Sequence, residues 1–218
     1  MNENNYSNNL RIGDKAPRFI ANSTDGQIKL SDYMGKWLIF FSHPGDYTPV
    51  CTTEFLEFSR MSPEFKIRNC DLLGLSIDST SSHLSWLSNI YETTGIEVSF
   101  PVIADRDMQI SKMYGMIAPN ISNTETVRSV FIIDPNHIIR AILQYPKTTG
   151  RNIWEILRLL DALQITDKEK ILTPANWVLG KSTILPSPKT FNDVLEKKKN
   201  MGSNCVDWYL CYNQQYKI

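Results

Sequence analysis

Cys51 is the residue whose setting most strongly indicates chemistry. The segment SHPGDYTPVCTTEF, residues 42–55, contains this one cysteine, and the next thiol along the chain is Cys70. If Thr48 is a helix N-cap, Pro49 takes the first helical position, where its missing N–H costs nothing. Cys51 then lies in the first turn, where unpaired backbone N–H groups and the helix dipole favour a thiolate. A buried structural cysteine at an ordinary helix start is the alternative interpretation.

Thr48 and Arg128 could extend this chemistry. A dithiol exchange site needs C-x-x-C, and Thr48 occupies the first of those positions, which argues against a disulfide oxidoreductase. As a cap, its hydroxyl would point towards the sulfur and could hold a polar substrate oxygen. A single thiolate can attack a peroxide and become a sulfenic acid, and a cation must then stabilise the developing alkoxide. Arg128, at the head of the apolar strand Ser129–Ile133, is the candidate cation; a surface arginine at a strand end is the alternative.

Composition narrows the class of protein. Lys plus Arg equals Asp plus Glu, 23 against 23, so no global charge recruits nucleic acid or an anionic membrane. The N-terminus is polar and Asn-rich, and no apolar run approaches the roughly 18 residues of a membrane span. These features predict a cytosolic protein, in which four cysteines indicate redox chemistry or a metal. Only three histidines are present, none at zinc-finger spacing, so we expect no metal and no cofactor.

The elements that must position these residues alternate between strand and helix. A helix starts at Thr48 and is bent or restarted by Pro63. The predicted strands are residues 37–41, 72–77, 100–104, 127–134 and 137–145, and the other predicted helices are residues 79–91, 107–114, 153–163 and 190–199. The order β-α-β-α-β-(α)-β-β-α predicts an α/β protein with a thioredoxin-like fold and a C-terminal extension.

Three regions follow from this pattern. Residues 1–9 are predicted to be a disordered tail, and residues 10–165 the thioredoxin-like domain. Residues 166–218 are Pro-rich and crowded with aromatic side chains near the end. Because such side chains need something to bury against, this extension is predicted to be an arm that packs on the main domain or on a second subunit.

Several motifs in one order resemble the peroxiredoxins. The segment around Pro44, Thr48 and Cys51 resembles the active-site motif of that family. The rest, from about Leu10 into the C-terminal arm, is similar to the subfamily called 1-Cys or peroxiredoxin-6 type. The matching segments are FSHP at 41–44, RSVFIID at 128–134, YPKTTGRN at 145–152 and TP at 173–174.

The resemblance implies roles for the residues of the turn. Cys51 is implied to be the peroxidatic nucleophile, shielded by Pro44. Thr48 is implied to hydrogen-bond the peroxide, and Arg128 to activate both thiolate and substrate.

Three further residues match positions around that pocket. His43 and Arg151 match the family's pocket wall and the layer behind it. Glu54 resembles the residue that orients Arg128. A strand-end capping role for His43 and a simple helix N-terminal preference for Glu54 are the alternatives.

Two departures from the subfamily pattern affect the expected activity. Lys36 stands where some animal members carry the serine of an esterase motif, so a phospholipase activity should be absent. The tail holds Cys205 and Cys211, similar to the C-terminal pair of archaeal-type members. In a helix, cysteines six apart would be about 9 Å apart along the axis, beyond the limit of about 7 Å for a disulfide, so a bridge between them requires an irregular tail.

The resemblance implies a complete catalytic cycle. The chain is expected to reduce hydrogen peroxide and organic hydroperoxides, with Cys211 of the partner subunit resolving Cys51 and Cys205 as backup or exchange partner. Thioredoxin or a similar dithiol would recycle the enzyme, and the assembly would be a homodimer, often a decamer of five dimers. A redox-switched holdase or peroxide sensor is the alternative function.

Cys70 is expected to be a buried structural thiol.

Overall fold

A computed structural model describes residues 10–213 of the chain. The chain divides into two compact units, of which the first ends at Ile153 and the second begins at Trp154. The predicted disordered tail, residues 1–9, lies outside the described residues. The predicted domain boundary after residue 165 stays a prediction.

The first unit is built on a mixed seven-stranded sheet. Its strands are β1 (Ile20–Ser23), β2 (Gly26–Lys29), β3 (Trp37–Ser42), β4 (Cys70–Ser76), β5 (Val102–Ala104), β6 (Arg128–Ile133) and β7 (Ile139–Tyr145). The spatial order is β2-β1-β5-β4-β3-β6-β7. Strand β3 pairs parallel with β4 and antiparallel with β6, and β4 pairs parallel with β5. The predicted alternation is confirmed for the strands of this unit.

Strand β3 is the central element of the sheet. All six of its residues are buried, as are all six of β6 beside it. A continuous apolar run such as WLIFF suits a strand that is covered on both faces. Because β3 ends inside the core, the turn that follows it starts from a rigid position.

The described part of the first unit contains a short 3-10 helix (Leu30–Tyr33) and three complete α-helices, α1 (Pro49–Ile67), α2 (Thr80–Thr94) and α3 (Gln109–Met113). Helix α1 is continuous through Pro63, so the prediction that the helix could restart there is wrong. Ser79 caps α2, since its side chain accepts a hydrogen bond from the backbone N–H of Ser82, and Gly95 ends α2 in the left-handed region at φ 70°. A glycine is favoured at such a C-terminal position because it has no Cβ.

The second unit contains α4 from its second residue onward (Ile153–Glu169), α5 (Phe191–Lys199), β8 (Cys205–Asp207) and β9 (Leu210–Cys211). Strands β8 and β9 form an antiparallel pair in which Cys205 lies opposite Cys211. Backbone hydrogen bonds join β9 to the preceding loop, from the N–H of Leu185 to the carbonyl of Cys211 and from the N–H of Asn213 to the carbonyl of Thr183. Within residues 10–213, no helix is long and apolar enough to cross a membrane.

Candidate active site

The turn between β3 and α1 leads into the first helical turn of α1, which contains Cys51. Thr48 is the N-cap residue with extended backbone angles, and Pro49 is the first residue of the helix. Cys51 follows as the third helical residue, and its side chain is fully buried as a free thiol. Pro44, at the start of the turn, is also buried. The local signals that predicted this helix start are therefore correct.

Thr48 differs from the expectation in one respect. Its side chain makes no capping hydrogen bond to the helix. Instead, Oγ1 donates to the carbonyl of Gly45 at 2.8 Å. The hydroxyl proton is therefore used in a hydrogen bond within the turn, and the lone pairs of Oγ1 can accept a hydrogen bond from another group.

Arg128 provides the cation beside the Cys51 sulfur. Its Nη1 lies 3.3 Å from Sγ and 2.8 Å from Oε2 of Glu54. Its Nε and Nη2 both donate to the backbone carbonyl of Lys147, at 3.0 and 2.8 Å. With 1% of its surface exposed, the side chain has one fixed orientation, so the alternative of a surface arginine is wrong.

Glu54 lies between two arginines. Besides its contact with Arg128, its Oε1 accepts hydrogen bonds at 2.9 Å from both the backbone N–H and Nε of Arg151, and its Oε2 accepts one from Nη2. Nη1 of Arg151 donates to the carbonyl of Ser42 at 2.9 Å, and its guanidinium lies 5.0 Å from the centre of the Phe41 ring. The end of β3 and the start of α1 are thus joined through one guanidinium.

The charges of this cluster do not cancel. Two buried guanidinium groups, Arg128 and Arg151, face the single carboxylate of Glu54. Burial alone would raise the pKa of Glu54, but its contacts with Arg151 and then Arg128 outweigh burial and hold that pKa below its usual range. The remaining positive charge lies next to Cys51, and a thiolate would neutralise it.

His43 lies at the end of β3 with its backbone fully paired. Its N–H donates to the carbonyl of Leu75 at 2.9 Å, and its carbonyl accepts from Oγ1 of Thr126 at 2.7 Å. The ring is fully buried, 4.8 Å from the centre of the Phe55 ring, and its Nε2 is 3.0 Å from Oδ1 of Asp46. His43 therefore contributes to the wall of the buried region around the turn.

The first unit brings together Cys51, Arg128, Glu54 and Arg151, all of which the sequence had suggested. Sequence reasoning missed the carbonyl of Lys147, because a backbone acceptor leaves no signal in the residue type. It also missed Asp46 and His83, whose contact is described below. The sequence did offer one signal for Asp46, since it is an acidic residue in a turn of prolines and hydroxyl-bearing side chains.

The two tail cysteines lie in the second unit and are bonded to each other. The sulfurs of Cys205 and Cys211 form a disulfide, and their Cα atoms are 3.9 Å apart. The expectation that a bridge between them requires a tail that is not helical is confirmed, because residues 205–211 form a strand pair with a shift in register. Opposed residues of an antiparallel pair lie close enough to be bridged.

Comparison with known proteins defines the class. The chain matches the AhpC/TSA family over residues 12–142 and the C-terminal domain of 1-Cys peroxiredoxin over residues 162–202. These matches, with the fold and the buried cysteine of the first unit, define a thiol-dependent peroxidase. The chain belongs to the peroxiredoxin family.

Individual relatives agree with this assignment over most of their length. Peroxiredoxin 2 of Caldanaerobacter subterraneus subsp. tengcongensis is 57% identical over 94% of this chain and 93% of its own, and a peroxiredoxin of Aquifex aeolicus is 49% identical over 92% and 95%. Among solved structures, yeast mitochondrial 1-Cys peroxiredoxin has a TM-score of 0.82 at 38% identity, covering 95% of this chain and all of that one. A cysteine-to-serine mutant of peroxiredoxin 6 of Arenicola marina has a TM-score of 0.84 at 34% identity, covering 96% and 100%. The predicted thioredoxin-like fold, the family and the thiol peroxidase function are confirmed.

Proposed function

We propose that Cys51 is the peroxidatic cysteine of this peroxiredoxin and that hydrogen peroxide and organic hydroperoxides are its substrates. The observation that carries the proposal is the distance of 3.3 Å between Nη1 of Arg128 and the Cys51 sulfur. A buried cation in contact with a thiol favours the thiolate, which is the nucleophilic form. Burial raises the pKa of the other free thiol, Cys70, well above its usual range, so Cys70 is not a candidate nucleophile.

In the first step, the Cys51 thiolate attacks one oxygen of the peroxide R–O–O–H. An S–O bond forms as the O–O bond breaks, the sulfur loses two electrons, and the departing RO⁻ takes a proton to leave as ROH. Cys51 becomes a sulfenic acid. Arg128 stabilises the charge that develops on the leaving oxygen, because its guanidinium is already oriented and needs no rearrangement.

The other predicted site residues have supporting roles in this proposal. Thr48 accepts a hydrogen bond from the peroxide, since its own proton is directed to Gly45. Pro44 and His43 exclude water from the buried thiol. Glu54 and Arg151 hold Arg128 in place through the contacts described above.

The second step uses the tail. The thiol of Cys211 of the partner subunit attacks the Cys51 sulfenic acid, an S–S bond forms and water leaves. Cys205 beside it then displaces Cys51 by thiol–disulfide exchange, which gives the Cys205–Cys211 disulfide and a reduced Cys51. The register of β8 and β9, with these two cysteines directly opposed, supports this exchange.

Recycling then needs two electrons from an external dithiol. Thioredoxin or a similar protein would reduce the tail disulfide by exchange, and the family resemblance supports a homodimer, assembled further into a decamer. The predicted cytosolic location stays a prediction. Sedimentation velocity on the reduced and oxidised protein tests the assembly directly.

The test of the whole proposal is peroxide consumption with thioredoxin and its reductase. Turnover is expected for the parent protein, and none above background for Cys51→Ser. Cys70→Ala is the matched control, because it removes the other buried free thiol, and it should retain activity. Turnover that survives in Cys51→Ser would contradict the proposal, and a single oxidation without turnover in the parent would favour the sensor function.

A further inference from the structure

A buried carboxylate and two imidazoles lie directly behind the turn that carries Thr48. Oδ1 of Asp46 is 3.0 Å from Nε2 of His43, and Oδ1 and Oδ2 are both 2.9 Å from Nδ1 of His83. The Asp46 side chain is 2% exposed, and both imidazoles are fully buried. None of the roles proposed above uses His83, which comes from the first turn of α2.

The partners of His83 determine how many protons its ring carries. Its Nδ1 faces the Asp46 carboxylate, and its Nε2 lies 3.2 Å from the backbone carbonyl of Ile103. Both partners accept hydrogen bonds, and neither can donate one. For Asp46 this holds because its pKa lies well below the usual range, so that its side chain is a carboxylate. Burial alone would raise that pKa, but the hydrogen bonds from the two histidines outweigh burial. A neutral imidazole would place one bare nitrogen lone pair against an acceptor. Both nitrogens are satisfied only in the doubly protonated ring.

His43 carries one proton by the same reasoning. Its Nε2 faces the Asp46 carboxylate and must donate, whereas its Nδ1 is buried and has no hydrogen-bond partner among residues 10–213. Burial is the main cause that lowers the pKa of His43, and it outweighs the contact with Asp46. The pair Asp46 and His43 therefore carries one negative charge that His43 does not compensate.

A second carboxylate, that of Asp78, lies against the backbone of Asp46. Oδ2 of Asp78 accepts hydrogen bonds from the backbone N–H of Asp46 at 3.0 Å and from Oγ of Ser76 at 2.7 Å. Within the described part of the chain, Asp46 forms no ion pair with a lysine or an arginine. An unpaired buried carboxylate is strongly unfavourable, and an imidazolium at His83 supplies the missing charge.

We propose that His83 is a buried imidazolium whose ion pair with Asp46 positions the turn between β3 and α1 for the reaction of Cys51 with peroxide. The connection runs through the backbone: Asp46 follows Gly45, and the carbonyl of Gly45 accepts the proton of Thr48 Oγ1. If Asp46 shifts, the Gly45 carbonyl and the Thr48 hydroxyl shift with it. His83 is thus a positioning residue, and this inference rests on the proposed roles of Cys51 and Thr48.

A metal ion shared by His43, Asp46 and His83 is the competing explanation, since their ligand atoms lie within 4.8 Å of one another. The nitrogen-to-oxygen distances of 2.9 and 3.0 Å are those of hydrogen bonds, which favours protons over a metal. The metal becomes an outcome of the test.

The first measurement is nitrogen-15 NMR of the histidine side chains at neutral pH. Two protonated ring nitrogens are expected for His83, and one, Nε2, for His43. In Asp46→Asn, which keeps the shape but removes the charge, His83 should revert to a single ring proton. A singly protonated His83 in the parent protein would overturn the proposal, as would Zn²⁺ bound to Nδ1 at one equivalent after dialysis against micromolar Zn²⁺.

The second measurement separates positioning from general damage. In His83→Gln, the rate of Cys51 oxidation by hydrogen peroxide should fall about tenfold to a hundredfold, because small displacements near a reacting atom have effects of that size. Alkylation of Cys51 by iodoacetamide, which needs only a thiolate, should change less than about twofold. Ser88→Ala, on the exposed face of the same helix, is the matched control and should leave both rates unchanged.

Two results would count against a positioning role. Equal losses in oxidation and alkylation would mean that His83 acts on the thiolate, and two unchanged rates would mean that it does not act on the reaction. If His83→Gln does not fold, the same pair of rates in Asp46→Asn decides. Failure of the parent Cys51 to react with peroxide would refute the role of Cys51 instead, while the NMR result would still decide the charge on His83.

Discussion

Arg151 encloses the carboxylate of Glu54 with three of its nitrogens. Its backbone N–H and Nε bind one oxygen, and Nη2 binds the other. That second oxygen also accepts from Arg128, the residue that contacts the Cys51 sulfur. The orientation of Arg128 therefore depends in part on one buried carboxylate on the same helix as Cys51.

Replacing this carboxylate should destabilise the protein. Glu54→Gln leaves two buried guanidinium groups without a counter-charge, and breaking a buried ion pair in this way costs about 3 kcal/mol or more. Urea unfolding monitored by circular dichroism measures the loss. Glu57→Gln is the matched control, because its ion pair with Arg60 is solvent-exposed, and it should change stability by less than about 1 kcal/mol.

The effect of Glu54→Gln should also depend on pH in one direction. The folded pKa of Glu54 is below that of the unfolded chain, about 4.3, so its contribution is complete above that value and is lost as pH falls through the folded pKa. The difference between the variant and the parent should therefore be largest near neutrality and shrink in acid. A difference that grows as pH falls would show that Glu54 is not the anionic partner.

Arg128→Lys should slow the oxidation of Cys51. Lysine presents a single ammonium and cannot contact Glu54, the Lys147 carbonyl and the Cys51 sulfur at once, as the guanidinium does. Loss of an oriented group that stabilises developing charge costs about 10²–10³ in rate. Stopped-flow fluorescence with hydrogen peroxide measures the second-order rate constant, and Arg60→Lys on the exposed face of α1 should match the parent. Equal rates in both variants would remove Arg128 from the mechanism.

The tail cysteines should differ in the species that peroxide produces. In Cys205→Ser, the exchange step is blocked, so a disulfide-linked dimer should accumulate on a non-reducing gel. In Cys211→Ser, no such dimer should form, because the proposed resolving thiol is absent. A reducible dimer in Cys211→Ser would rule out Cys211 as the resolving cysteine. If in addition no dimer formed in Cys205→Ser, the resolving role would belong to Cys205.

His137 should make stability fall in mild acid. Burial, with Lys15 and Arg18 nearby, outweighs Asp134 and lowers the pKa of this histidine in the folded protein. The unfolded chain then takes up a proton first as pH falls through about 6.5, which removes up to about 1.4 kcal/mol of stability per pH unit until the folded pKa is reached.

His137→Asn tests this dependence. Asparagine tolerates the backbone at φ 62°. Urea unfolding between about pH 5 and pH 8 should show a smaller slope in the variant than in the parent. The slope should not vanish, because the pKa of His43 is also lowered by burial and acts in the same direction. Parallel curves for the two proteins would contradict the prediction.

Local patterns in the sequence predicted much of the first unit. The apolar run of β3, the proline after Thr48 and the serine cluster before α2 each act within a few residues, so they can be recognised without knowing the fold. The hairpin of β8 and β9 was missed. Its strands are three and two residues long, which is too short for a periodic signal.

The sequence by itself determined that Cys51 lies at a helix start and that the chain has the motifs of a peroxiredoxin, because both depend on neighbours along the chain. Only the tertiary structure decided which charges meet. Arg128 reaches Cys51 and Glu54 because β6 pairs with β3, and His83 reaches Asp46 although the two residues are 37 positions apart. Which buried groups carry charge depends on the partners that folding supplies, since burial without a partner suppresses ionisation and a paired contact restores it.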